Sequence, residues 1–149
     1  MKENKFVIKI GTDVELVKKM HETIFPTDEW YSNKTAISWI IWCGGSPVGF
    51  CMASVWDNQY GFLARAGVLK DFRGNGLQQR LIKVRERYLK KKGFTKVITY
   101  TKISNITSSR SLQKCGYWLY IPAYEYADKD CLYWYRDLIS TLPIKKTSR

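Results

Sequence analysis

Apolar and polar positions divide the chain into short, well-separated elements. Residues 5–10 set Phe6, Ile8 and Ile10 against Val7 and Lys9, the two-residue period of a strand. Residues 14–23 place Leu16, Val17 and Met20 on one face of a helix, with Thr12 or Asp13 positioned to cap it. Pro26 stops that helix, and the stretch from Phe25 through Trp30 and Tyr31 mixes aromatics with acids. Residues 36–43 and 48–56 are apolar strands joined by Gly44-Gly45-Ser46-Pro47, the mark of a hairpin. Asp57-Asn58 turns the chain into another strand over 60–68. From Leu77 to about Lys92 the stripe Leu77, Leu81, Val84, Tyr88 has the period of a helix, and Gly93 ends it. Residues 97–101 read as a strand and a helix follows Asn105. Two aromatic-rich strands, 117–121 and 131–136, flank a connection over 122–130. The order is β-α-β-β-β-α-β-α-β-β. It predicts a single α/β (α+β) domain over residues 1–140, followed by a basic, frayed tail over 141–149.

The densest signal lies where the 60–68 strand hands over to the long helix. There the chain reads Gly67-Val68-Leu69-Lys70-Asp71-Phe72-Arg73-Gly74-Asn75-Gly76-Leu77-Gln78. Glycine permits positive φ and close approach of a ligand to the main chain. The first amides of a helix have no partner within it and carry the positive end of its dipole. Strand, Gly-rich turn and helix start together make a site for phosphate oxygens. The loop lacks Gly-Lys-Ser/Thr, which excludes the nucleoside-triphosphate loop, and Gln79 stands where a dinucleotide loop needs its third glycine.

What remains, Arg73-x-x-Gly76-x-Gln78 after a strand ending in Val68, resembles the pyrophosphate loop of the GNAT superfamily of N-acetyltransferases. The usual form is Arg/Gln-x-x-Gly-x-Gly/Ala, so Gln78 departs at the last place. A second block agrees: a strand, then Asn105, then a helix closing at Gly116-Tyr117. The resemblance covers roughly residues 5–136 and is strongest from 67 to 117. It implies a central, mostly antiparallel sheet of six to seven strands with a V-shaped splay, flanked by helices. It also implies acetyl-CoA (coenzyme A) as co-substrate and no metal. Arg73, Gly74, Asn75, Gly76, Leu77 and Gln78 are then expected at the pyrophosphate. Val68 and Leu69 would meet the cofactor through main chain, with the Val68 amide at the thioester carbonyl, and Gly67 would mark a bulge. Asn105 is assigned to the pantetheine arm, and Ser109 to the cofactor as well.

The proton handlers depart from the pattern. Relatives carry a tyrosine seven residues after the Asn, and here that position is Leu112; many also carry a glutamate in the fourth strand, which here has no acid. Ser109 and Tyr100 are the substitutes for the acid. Glu29 is the candidate base, with Asp28 and Glu125 behind it. The expected activity is transfer of acetyl from acetyl-CoA directly to a primary amine. The alternative is a catalytically impaired GNAT-fold protein that binds nucleic acid or another acidic partner.

Composition adds bounds. At 149 residues the chain is one domain with room for a single core. Its net charge of +12 exceeds what a coenzyme A site needs, which raises nucleic acid or an acidic protein as partner. Arg80, Lys83, Arg87, Lys90 and Lys91 share the outer face of the long helix and read as solvated, with Arg80 near a cofactor phosphate. Cys43, Cys51, Cys115 and Cys131 form no Cys-x-x-Cys pair, and His21 is the single histidine, which argues against zinc and for buried free thiols. No apolar signal core or membrane-length run occurs, so a cytoplasmic monomer or homodimer without membrane contact is expected.

Overall fold

A computed structural model describes residues 5–139. The element order is β1 (Phe6–Ile10), α1 (Val14–Ile24), β2 (Ile37–Cys43), β3 (Ser46–Trp56), β4 (Tyr60–Val68), α2 (Leu77–Lys91), β5 (Lys96–Lys102), α3 (Ile106–Lys114), β6 (Trp118–Leu119) and β7 (Cys131–Asp137). The predicted order holds throughout. The structure adds a single 3-10 turn, Lys70–Phe72, between β4 and α2, and trims the sixth strand to two residues. The predicted basic tail lies outside the described residues.

Seven strands form one sheet in the order β1-β2-β3-β4-β5-β7-β6. All neighbours are antiparallel except β4 and β5, which run parallel and pair only at Gly61–Val97 and Phe62–Ile98. Beyond Phe62 the two strands part, and this is the V-shaped splay. Alternation along β2 and β3 sends Ile40, Phe50 and Met52 to one face, where Val17 and Met20 of α1 cover them. Trp39, Ile41, Cys51 and Ala53 go to the other face, under Leu77, Leu81 and Leu89 of α2 and Leu112 of α3.

Caps set the helix starts. Asp13 accepts from the Leu16 amide at 3.2 Å to open α1, and Asn105 accepts from the Ser108 amide at 3.1 Å to open α3. Helix α2 has no side-chain cap; it begins from Gly76 at φ 70°.

Three expectations need correction. The bulge is not at Gly67, which pairs regularly with Phe50; the register shifts where Ala64 and Arg65 face Met52. Gly67 is glycine because α1 ends against it: a Cβ there would lie 2.8 Å from Ile24 Cγ2 and 3.0 Å from Phe25 Cε2. The buried face of α2 is wider than the predicted stripe. It includes Ile82, Arg85, Glu86 and Leu89, while Val84 and Tyr88 sit at its margin, because both the sheet and α3 pack on the helix. Of the cysteines only Cys51 and Cys115 are buried; Cys43 and Cys131 are half-exposed. Among the described residues no helix is long and apolar enough to cross a membrane.

Candidate active site

The site begins with the loop after β4. Gly74 and Gly76 have φ of 83° and 70°, and a Cβ on either would meet open space, so the backbone conformation alone requires glycine. Side chains hold the loop from within: Arg73 Nε donates to the Val68 carbonyl at 3.0 Å, and Asn75 Nδ2 to that of Phe72 at 2.9 Å. Among the described residues no backbone carbonyl accepts from the amides of 74–79. The first helical amide to find one is that of Arg80, which donates to Gly76 O at 3.3 Å. A row of unpaired donors therefore faces outward at a helix start. Leu77, 3% exposed, anchors that start in the core.

The strand leading in supplies another donor. Leu69 N donates to Val48 O at 2.8 Å, across to β3. Amides alternate in direction along a strand, so the Val68 N–H points the other way, into the splay that β5 has left open. Of the two residues expected to offer main chain there, Val68 has a donor to give, while the Leu69 amide is taken.

A cleft of about 600 Å³ runs along this splay. At one end lie Gln78 and Ile82 of α2; Leu63, Ala64 and Ala66 of β4 form one wall; Thr99 and Thr101 of β5 and Asn105, Ser108, Ser111 and Leu112 from α3 and its cap form the other. At the far end are His21, Asp28, Glu29, Tyr31, Phe62, Arg65, Tyr100, Asp128 and Cys131. Thr99 Oγ1 donates to Leu63 O at 2.7 Å and bridges the strands just past their last pairing.

Of the predicted handlers of protons, Glu29 and Tyr100 line the far end. Glu29 is exposed. Tyr100 stacks on Phe62 at 6.1 Å, and burial pushes its hydroxyl above the ordinary tyrosine range, with Arg65 pulling the other way. Ser109 is placed differently: its hydroxyl lies 3.2 Å from that of Thr101, and the α3 hydroxyls in the cleft wall are those of Ser108 and Ser111. Leu112 is buried in that wall. Within the 122–130 connection Tyr126 packs on Tyr133 at 4.8 Å and bonds Tyr120 at 2.6 Å, whereas Asp128 reaches the cleft.

Three residues escaped the sequence reading. Arg85, in the middle of α2 and 3% exposed, donates to Leu81 O at 3.0 Å, Met52 O at 3.3 Å and Ala64 O at 3.1 Å, the last two at the bulge. Arg65 forms a 2.6 Å ion pair with Asp28 and lies over the Phe25 ring at 4.7 Å, tying the segment after α1 to β4. His21 is 2% exposed, packed edge-on against Trp30 and Phe50, and its Nδ1 has no hydrogen-bond partner among the described residues. Burial, then the Arg65 charge, hold its pKa below the usual histidine value. A polar residue at a buried helical position was the one available signal for Arg85. For the others the sequence held none.

The Acetyltransferase (GNAT) family pattern fits residues 8–117. No curated protein matches the chain. The fold is similar to that of the IAA acetyltransferase from Bacillus cereus ATCC 14579, at 16% identity and a TM-score of 0.73 over 90% of this chain and 100% of that one. A Bacillus subtilis acetyltransferase in complex with CoA is similar at 18% identity and 0.73, covering 90% and 99% of the two chains. A GNAT family acetyltransferase from Elizabethkingia anophelis with acetyl-CoA bound is similar at 14% identity and 0.72, covering 91% and 100%. At these identities the structures share a fold, and the family pattern, which spans most of the chain, carries the assignment. The chain belongs to the GNAT family of acetyltransferases.

Proposed function

We propose that the protein is an N-acetyltransferase that takes acetyl from acetyl-CoA and passes it directly to a primary amine. The unit that does so is the single domain over residues 1–140. One observation carries the reading: unpaired amides over 74–79 open onto a cleft that follows the β4–β5 splay and ends among acids and aromatics. The residues fit the cofactor's chemistry, since outward amides at a helix start suit a pyrophosphate. Two relatives by fold hold CoA or acetyl-CoA.

Bound there, acetyl-CoA supplies an activated acyl carbon with a thiolate leaving group. The chain's part is mainly to hold two reactants together, an effect that can supply on the order of 7–11 kcal/mol of the barrier. The Val68 N–H, turned into the splay, donates to the carbonyl oxygen as negative charge gathers there. Glu29, exposed at the far end, takes the ammonium proton through water. Asn105 spends its Oδ1 on the cap of α3 and keeps its amide nitrogen for the arm.

Thiol release from acetyl-CoA over a panel of small amines, peptides and amine-bearing nucleic acids tests this. Release with one class names the acceptor. Binding of acetyl-CoA without release on any amine would favour the second reading, a GNAT-fold binder, for which buried Leu112 at the tyrosine position speaks. Failure of acetyl-CoA to raise the melting temperature would overturn the acetyltransferase reading and leave the binder of nucleic acid or another acidic partner.

A further inference from the structure

Helix α3 brings a hydroxyl to the cleft that no motif marks. Ser111 is nine-tenths buried and lies in the cleft wall beside Leu112. A serine within a helix commonly bonds the carbonyl one turn back. Thr23 does so in α1, at 2.8 Å to Lys19 O. Among the described residues nothing bonds the Ser111 hydroxyl, whereas that of Ser109 is engaged with Thr101. Among the described residues the sealed, unpartnered side-chain atoms are His21 Nδ1 and Tyr117 Oη, so the Ser111 hydroxyl is reached from the cleft and free to bond what enters it.

The same cleft also carries a charge. Arg85 is buried, lines the same cleft, and bonds only carbonyl oxygens; no carboxylate pairs with it among the described residues. Its field reaches α3. Burial pushes up the thiol of Cys115, one turn beyond Ser111, Lys83 pulls it down, Glu86 opposes, and Arg136 and Arg85 pull it down further. A buried cation facing a cleft favours whatever negative charge develops there.

We propose that Ser111, in the positive field of Arg85, is the hydroxyl that receives the leaving thiolate. This rests on the acetyltransferase reading above. The amine nitrogen bonds the acyl carbon, the carbon–sulfur bond breaks, and its electron pair goes to sulfur. Ser111 donates a hydrogen bond to that sulfur and keeps its own proton. The proton shed by the amine goes by way of Glu29 to solvent, and the thiolate is later protonated from solvent. A thiol has an ordinary pKa near 8.5, so a hydrogen bond serves where a full proton donor is absent.

The test needs no turnover. Coenzyme A bound to the protein is titrated with pH, and its thiolate is read by ultraviolet absorbance. The wild-type protein should hold the thiol below its value in free coenzyme A, and Ser111→Ala should raise it. Ser111→Thr, which keeps the hydroxyl, should retain most of the effect. In turnover Ser111→Ala should lower kcat on the order of tenfold to a hundredfold, the range for losing one hydrogen bond to a charged group. Coenzyme A without its sulfur should bind Ser111→Ala and wild type alike. An unchanged bound-thiol pKa in Ser111→Ala would overturn the role of Ser111 while leaving the acetyltransferase reading intact. A wild-type protein that binds no coenzyme A would overturn both.

Discussion

The two ends of the cleft are built from different materials. The end proposed for the cofactor is backbone: positive-φ glycines at 74 and 76 and a row of amides without internal partners, all within one short segment. The end proposed for the acceptor is side chains drawn from separate places: His21 on α1, Asp28 and Glu29 after it, Arg65 on β4, Tyr100 on β5 and Asp128 before β7. A backbone site imposes its demands on consecutive residues, so it leaves a motif. A side-chain site asks only that the sheet order bring distant residues together, and any polar residue at the right register will serve. One end is therefore constrained locally, and the other is free to vary its acceptor.

The largest effect should come from breaking the backbone end. Gly76→Val puts a β-branched residue at φ 70°, a region costly to such side chains, and its Cβ enters the space before the amides. Acetyl-CoA affinity should fall more than about a hundredfold by calorimetry, beyond what the loss of one charged hydrogen bond would give. The backbone strain itself should cost about 1–3 kcal/mol of stability. Affinity equal to wild type would place the phosphates elsewhere.

Next comes the wedge where the two ends meet. Arg85→Met removes a guanidinium that satisfies carbonyls on α2, β3 and β4, and it leaves the bulge carbonyls of Met52 and Ala64 facing a thioether. Buried acceptors without partners cost about 1–3 kcal/mol each, partly relieved by water from the cleft, so a loss of about 3 kcal/mol is expected. Chemical denaturation measures it. A loss below about 1 kcal/mol would mean that the carbonyls find other donors.

The same contrast explains what the sequence could and could not say. Element order and the Gly-rich turn into α2 were legible because period-two strands, Gly74, Gly76 and Asn105 act locally, whereas the splay was expected only from the family resemblance. The bulge was misplaced because Gly67 looks like a bulge glycine, and its real cause, Ile24 and Phe25, lies forty residues away on another element. The fold also decides where individual charges go: Arg65, Arg73, Arg80, Arg85 and Arg136 all bond groups within the protein. Arg80, expected near a phosphate, donates to Phe6 O at 3.2 Å. Lys83 lies 3.7 Å from Glu86. Ser109 and Ser111 differ by two positions in sequence, yet only the fold decides which one sees the cleft.

At the acceptor end a smaller effect is expected, since solvent can share the work. Glu29→Gln should lower kcat/KM at neutral pH by about tenfold, below the usual range for a positioned base, because Glu29 is exposed and acts through water. The deficit should shrink as pH rises and the amine loses its proton unaided. A pH profile parallel to wild type would remove Glu29 from the mechanism.

The smallest effect concerns His21, and it separates a stability role from a chemical one. Its folded pKa lies below the ordinary 6.5, with burial the main cause and Arg65 the second, against weaker opposition from Asp28 and Glu22. The unfolded chain therefore binds its proton first as pH falls. Stability from the neutral ring is fully present above about 6.5 and is lost as pH drops toward the folded pKa. One group gives a slope no steeper than about 1.4 kcal/mol per pH unit. His21 is the single histidine, so no other imidazole contributes. His21→Phe replaces it with a ring of similar shape among Phe25, Trp30 and Phe50 and removes the unpaired Nδ1. The variant should be as stable as wild type at pH 7.5 and should lose less melting temperature on acidification to pH 5.5, conditions set around the ordinary histidine pKa of about 6.5. Equal losses in the two proteins would show that the acid sensitivity lies in the carboxylates, with Asp28 and its bond to Arg65 the first place to look.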